Sequence, residues 1–453
     1  MTQIVLSKTA DLLAKIRWWL LLALVVAAPF HAFLITWLKS ADFFDGGAVG
    51  ALFLISGWRE IFVILICGII FAELLISYIL HSTHAKAEQA FYIHFNPLDF
   101  LILLYCALSL IWLFIQPDKT LWLWGFRYDV LPFLFLLFVR RANWQRASAL
   151  IKTALVSATV VVIFGLLQST ILPQNFLENF GYAPYSGEYT PGVAVASCQY
   201  LEHTQTVCRA VSTFGGPTRY GTYLLLIIGL LLPYIFSSWK FRKFALALLA
   251  LVVLNIFLTY SRSIWIGTSL AAFATFFIAG ARTKCSLRTI GLGVIAIFTA
   301  ILITGTALVF SNIDLKTVLI RASSTSAHAQ LFKEGTQKLI AQPLGYGLGT
   351  AGPASVHFEK FLPENWYLQI GLEIGIAGLV IFLGILFLLF KNLLKPARAD
   401  TDAKKLGLFF ALFGIAIAGL FTHSFEETTT VLILFGFIGI FSNLQVKPAI
   451  DKK

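Results

Sequence analysis

Charge is what this sequence has least of. Asp, Glu, Lys and Arg make up only 12% of its 453 residues, against about 25% in a soluble domain, and 58% are hydrophobic. That shortage excludes a water-facing multidomain protein, and too few charged or proline-rich stretches exclude a disordered chain. Cysteine is scarce as well, and its five residues show no metal-ligand spacing. The N-terminal stretch lacks cleavable-signal character, because the apolar run after Arg17 is too long and has no small-residue cleavage site. No internal repeat is visible, nor an inverted repeat of the transporter kind. A net charge of +12 would invite a nucleic-acid reading in a soluble protein. Here the basic residues form no continuous stripe and no binding motif interleaves them.

What the sequence has instead is apolar runs of about 20 residues, the length that crosses a hydrocarbon core of about 30 Å. They fall at 18–38, 61–80, 97–115, 121–139, 149–171, 214–236, 244–260, 263–279, 289–310, 366–390, 406–421 and 428–444. The reading is an all-α polytopic membrane protein, one integral membrane domain over residues 1–453 with about twelve transmembrane helices. An even number puts both termini on one side. With that side in the cytoplasm, 22 of the 34 Lys and Arg fall in cytoplasmic segments, as the positive-inside rule requires.

Two outer segments, 172–213 and 311–365, are too long for simple turns. The second contains a helix-like stretch, 328–341, with Leu331, Leu339 and Ile340 able to share a face. It is expected to form a helical extracytoplasmic cap. Cys198 and Cys208 lie in the first outer loop, where oxidation is permitted, and either bridge it or stay free. Cys67, Cys106 and Cys285 read as free thiols.

Ionisable groups inside spans are the informative ones, since each costs about 2.5–3.5 kcal/mol at a helix centre. Arg219, in STFGGPTRYGTYL, opens the sixth span; Arg262, in LTYSRSIWIG, stands at the corner between the seventh and eighth; Arg127, in LWLWGFRYDVLPF, lies near the outer end of the fourth. Arg127 has Asp118 and Asp129 within reach as partners. Arg219 and Arg262 lack a helical acidic neighbour and sit beside helix-breaking Gly, Pro and Ser. Three guanidinium groups reaching one level suit a polyanion, because the planar donor fork binds phosphate oxygens bidentately. A lipid-linked pyrophosphate fits that depth. Trp112, Trp122, Trp124, Trp265 and Trp366 read as interfacial belt residues.

At these residues the sequence resembles the O-antigen ligase and polymerase superfamily of bacterial envelope glycosyltransferases. The similarity lies in motifs in order: STFGGPTRYGTYLLL, LTYSRSIWIG, HAQLFKEGTQKLIAQPLGYGLGTAG and ENWYLQIGLEIGIAGL, together spanning 212–390. The resemblance implies an inverting transfer without metal or other cofactor, at the outer face of the cytoplasmic (inner) membrane. Its donor would be a glycan on undecaprenyl pyrophosphate, and its acceptor a hydroxyl on a lipid, a glycan or a protein. Arg262 and Arg219 match the arginines expected to hold the pyrophosphate. Arg127, Tyr220, Ser261, Asn365, Tyr367, Glu373, Gly347 and Gly349 are expected around the substrate, with Glu373 able to pair with an arginine and the glycine turn able to cradle phosphate.

The base is where the sequence departs from the family. Its ligases place a His just before the Asn that opens the span after the large loop, and here that position is Glu364. Glu364 could activate an acceptor hydroxyl if burial raises its pKa toward neutrality. His328, in the loop helix, could bind phosphate or act as base. His423, with Glu426 and Glu427 beside it, reads as an orienting network or a polar turn. A flippase for the same lipid class is the alternative, but it needs polar groups through both leaflets, and the inner candidates are only Glu73 and Asp99.

Overall fold

The computed structural model describes residues 2–40, 56–82, 96–144, 146–184, 196–201, 207–235, 239–283, 322–356 and 361–442. Helix α1 (Thr2–Ala27) passes through a 3₁₀ turn at Ala28–Phe30 into α2 (His31–Ser40); Pro29 removes one ladder donor there and accounts for the change of winding. Then follow α3 (Trp58–Ser82), α4 (Pro97–Ile115), α5 (Lys119–Gly125), a π-helical turn at Phe126–Val130, α6 (Leu131–Val139), α7 (Ala147–Thr170), α8 (Pro217–Ile235), α9 (Trp239–Leu258) and α10 (Arg262–Thr283). The loop helix α11 (Ala322–Ala341) precedes α12 (Trp366–Leu394), α13 (Ala399–Ala418) and α14 (Thr428–Ser442).

Nine helices among the described residues are long and apolar enough to cross a membrane, and they account for nine of the expected spans. The expected span at 289–310 lies outside the described residues. The last two runs form α13 and α14, the latter only 15 residues long, and α14 is buried along nearly its whole length. Large apolar side chains such as Phe114, Phe273 and Phe387 face outward, the distribution that a lipid solvent permits.

The close helix crossings run through glycines, of which Gly267 ends the LTYSRSIWIG motif. A Cβ on Gly229 would sit 2.3 Å from the Gly407 carbonyl oxygen, and one on Gly267 would sit 2.5 Å from that of Gly414. Helix α13 is therefore seated backbone to backbone between α8 and α10. Gly375 breaks α12, with φ 83° and ψ 177°. The break frees the carbonyls of Leu372 and Glu373, which accept from the Tyr346 (2.7 Å) and Gly347 (3.0 Å) amides; Ile376 donates to Pro343 O at 2.9 Å. The turn at 343–352 thus completes the hydrogen bonding of an interrupted helix.

The loop helix begins before the expected 328. Gly335 meets Leu368, and Leu339 meets Gly371, so α11 docks on the first turns of α12. Ile340 does not share that face and is 73% exposed, because it follows Leu339 by only one residue, about 100° around the helix. Trp366 and Trp122 are buried rather than interfacial. The Trp366 ring packs on Phe382 and Phe425, and Trp122 Nε1 donates to Ser109 O at 3.0 Å. Cys198 and Cys208 form a disulfide with their Cα atoms 5.4 Å apart; Cys67 and Cys106 are free, and Cys285 lies outside the described residues.

Three ion pairs around two acids mark the other end of the bundle. Arg17 pairs with Glu73 at 2.9 Å, and Asp99 takes Arg140 at 2.6 Å and Arg141 at 3.1 Å. Glu73 lies fourteen residues along α3 from Arg59, roughly 20 Å at 1.5 Å per residue.

Candidate active site

Helix ends from distant parts of the sequence close around one cavity of about 1290 Å³. Its wall carries Arg59 from the start of α3, Arg127 and Tyr128 from the π-helical turn, Arg219 from the first turn of α8 and Arg262 at the start of α10. His328 of α11, Glu364 before α12, and His423, Glu426 and Glu427 between α13 and α14 complete it. Lys39 and Arg209 add two cations. Six Lys and Arg thus face three carboxyl groups, and a low-dielectric wall focuses that excess.

Local backbone aims these groups. The π-helical turn at 126–130 shifts the side-chain register, as such turns do at functional sites, so that Arg127 and Tyr128 reach the cavity while Asp129 is buried away from it. Arg262 follows Tyr260, which is held at φ +48°; Ser212 (+51°) and Glu364 (+49°) are the other non-glycine residues with positive φ among those described. Each stands close in sequence to the cavity wall, where strained backbone persists only because its surroundings fix it. Arg209 adjoins the disulfide and donates through Nε to Thr259 O at 2.9 Å, tying the loop to the same corner.

The carboxyls distribute themselves among the cations. Glu60 Oε1 accepts from Arg127 Nε at 2.8 Å and lies 3.6 Å from Arg59 Nη2. Arg59 Nη1 donates to Thr429 Oγ1 at 2.6 Å. Arg219 Nε is 3.7 Å from Glu427 Oε2. Burial pushes the Glu427 carboxyl up, against the pull of Arg219 and Arg59. Burial and the neighbouring Asp129 push Glu426 well above the usual carboxylate range, although Arg219 and the Ala354 amide oppose it.

His328 Nδ1 and Glu364 Oε2 are 2.7 Å apart. Burial pushes Glu364 up, but the His328 hydrogen bond and the charges of His328 and His423 outweigh it and hold the carboxyl below its usual range. His423 takes Gln369 as its partner, Nδ1 to Oε1 at 2.6 Å, in place of the two glutamates beside it. Burial, with Arg219 and His328, lowers its pKa from 6.5 to about 4, against the charge of Glu364.

Residues 245–383 match the protein family described as O-Antigen ligase. That match falls in the same family that the sequence motifs resemble. The matched stretch is under a third of the sequence and contains Arg262, His328 and Glu364. No curated protein matches the chain. The apolar helices make this a multi-pass membrane protein, and the matched stretch is similar to proteins of the O-antigen ligase type.

Arg127, Arg219, Ser261, Arg262, His328, Glu364 and His423 line the cavity, whereas Tyr220, Asn365, Tyr367, Glu373, Gly347 and Gly349 stand behind its wall. Tyr220 OH bonds Asn255 at 3.0 Å, Asn365 caps α12 by accepting from Leu368 N, and Tyr367 OH donates to Ala416 O at 2.7 Å. Glu373 pairs with no arginine among the described residues. Its Oε1 accepts from Ala351 N at 3.2 Å, with the Gly349 amide and Asp129 also against it, so the glycine turn cradles a carboxyl of its own chain. Arg127 takes Glu60 rather than Asp118 or Asp129, since Asp118 caps α5 and Asp129 faces Glu373. Arg59, Glu60 and Arg209 were not singled out from the sequence. The ArgGlu pair before an apolar run reads as an ordinary flank, and only the fold returns it to the site.

Proposed function

We propose that the protein transfers a glycan from a polyprenyl-pyrophosphate donor, of the undecaprenyl type, to an acceptor hydroxyl at the extracytoplasmic face of the cytoplasmic membrane. The observation that carries this reading is the shared cavity of Arg219, Arg262 and Arg209, contributed by a helix start, a helix corner and a disulfide-tied loop. The acceptor oxygen attacks the anomeric carbon, the bond to pyrophosphate breaks, and negative charge gathers on the leaving group. Guanidinium groups already in place in a site of low dielectric stabilise that charge without reorganising. The reaction on this reading is independent of metal, because fixed cations do the work a divalent ion does elsewhere. Glu364, His328 and His423 are the candidates for receiving the acceptor's proton.

Passage of the lipid across the bilayer is the weaker reading. The inner candidates, Glu73 and Asp99, are engaged by Arg17, Arg140 and Arg141, which leaves them paired rather than arranged along a path. Purified protein in liposomes with a lipid-linked oligosaccharide tests both. A ladder of longer glycans on the carrier indicates a polymerase, and one transfer to a different acceptor indicates a ligase. Movement of the donor between leaflets with no new glycosidic bond overturns the transfer reading. Activity is expected to survive EDTA; loss on chelation with rescue by a divalent ion refutes metal independence.

A further inference from the structure

The three titratable candidates on the cavity wall are not equivalent. Glu364 is held ionised by its partner, and a carboxylate kept below its usual range is a weak base. His423 uses Nδ1–H toward Gln369 Oε1, an atom that can only accept. Its Nε2 is buried without a hydrogen-bond partner among the described residues. Burial beside the Arg219 charge holds it neutral and reluctant to take a proton.

His328 differs on both counts. An ionised carboxylate accepts only, so Glu364 Oε2 at 2.7 Å fixes the proton on His328 Nδ1 and leaves the lone pair on Nε2. The carboxylate in contact also places a negative charge beside the ring that carries the proton taken by Nε2. The two partners come from separate segments that packing holds together. Helix α11 docks through Gly335 and Leu339 on Leu368 and Gly371, and Glu364 keeps φ +49°, a conformation that a non-glycine residue holds only where its surroundings fix it.

We propose that His328 is the general base of the transfer and that Glu364 is its positioning residue, which selects the tautomer and balances the charge. The inference rests on the glycan-transfer reading above. In the step, His328 Nε2 removes the acceptor's hydroxyl proton as its oxygen bonds to the anomeric carbon. The carbon–oxygen bond to pyrophosphate breaks, the electron pair leaves with the pyrophosphate, and the imidazolium then returns its proton to the released diphosphate. Glu364 stays ionised throughout. The charged groups around the pair are His423, with Arg219 against it, and on α11 itself Lys333, Glu334 and Lys338.

The test uses full-length protein in liposomes with a lipid-linked oligosaccharide, reading kcat against pH with thermal unfolding as the control for folding. His328→Ala is expected to lose on the order of 10²–10⁴-fold in kcat and to regain part of it with added imidazole. His328→Gln, which keeps a polar side chain of similar bulk, is expected to lose as much without rescue. Glu364→Gln is expected to lower kcat and to move the acid limb of the profile to lower pH, because the imidazolium loses its stabilising charge. Wild-type kcat in either His328 variant overturns the assignment, and so does an unmoved acid limb in Glu364→Gln. Imidazole rescue of His423→Ala in place of His328→Ala transfers the role to His423. Absence of transfer by the wild-type protein removes the function reading itself, a result distinct from any of these.

Discussion

Replacing Arg262 by lysine separates what its geometry contributes from what its charge contributes. The side chain is delivered to the cavity by a fixed corner: Tyr260 at φ +48°, then Ser261, whose Oγ lies 3.1 Å from Ser263 Oγ, then the first residue of α10. Lysine preserves the unit charge but presents a point in place of a planar fork. Losing one charge-assisted hydrogen bond to the diphosphate costs about 1.5–3 kcal/mol, which is roughly a ten- to 150-fold loss of rate at 1.36 kcal/mol per decade. Alanine removes the charge as well, and the loss of a donor at a site of developing charge is on the order of 10²–10³ in kcat. Initial rates at saturating donor, measured on purified protein in liposomes, are expected to fall in the order wild type, Arg262→Lys, Arg262→Ala, with unfolding temperatures unchanged. Wild-type transfer by Arg262→Ala refutes the pyrophosphate assignment. Equal rates for wild type and Arg262→Lys, with alanine inactive, refute the role of the fork while leaving the charge.

Other consequences are open to simpler measurement. Gly349→Ala places a Cβ 2.4 Å from the Leu121 carbonyl oxygen at φ +74°, and backbone conformation alone is expected to cost about 1–3 kcal/mol, visible as a lowered melting temperature; an unchanged melt refutes the tight fit of the turn. His423 has a folded pKa of about 4, below its ordinary 6.5, so the folded state resists protonation. Its stabilising contribution is complete above pH 6.5 and is lost as pH falls toward 4. His423→Asn is expected to flatten the fall in melting temperature across that window, and an unaltered pH dependence contradicts it. Replacing Cys198 and Cys208 together by serine is expected to weaken donor use through Arg209 more than it weakens the fold, since closing so short a loop contributes only about a few kcal/mol. Unchanged kcat/KM for the donor counts against Arg209 in the site.

The helices were legible because apolar runs of membrane-spanning length need no partner to be recognised, and the nine membrane-length helices lie where those runs lie. The arginines at helix corners were legible for the opposite reason, being charges where burial is expensive. What the sequence concealed is pairing across distance. Glu60 meets Arg127 over 67 residues and Arg59 meets Thr429 over 370, and no local pattern encodes either. Glu373 shows how a motif misleads: an acid near arginines invites an ion pair, yet the break at Gly375 and the turn that fills it give its carboxyl backbone amides instead. The belt reading of Trp366 failed similarly, since an indole at a helix start is interfacial only if no second layer covers it, and here Phe382 and Phe425 do.

The interruption of α12 at Gly375 bears on how the chain is assembled. A span whose carbonyls are capped by Tyr346 and Gly347, and whose Ile376 amide depends on Pro343, is not self-sufficient in hydrocarbon. It must meet an already folded segment that precedes it in translation. Biogenesis therefore acquires an order of events, with the turn at 343–352 in position before the following helix can settle into lipid. A lengthened or shortened stretch between 343 and 352 would stall maturation of the carboxyl-terminal quarter, well before any question of turnover arises.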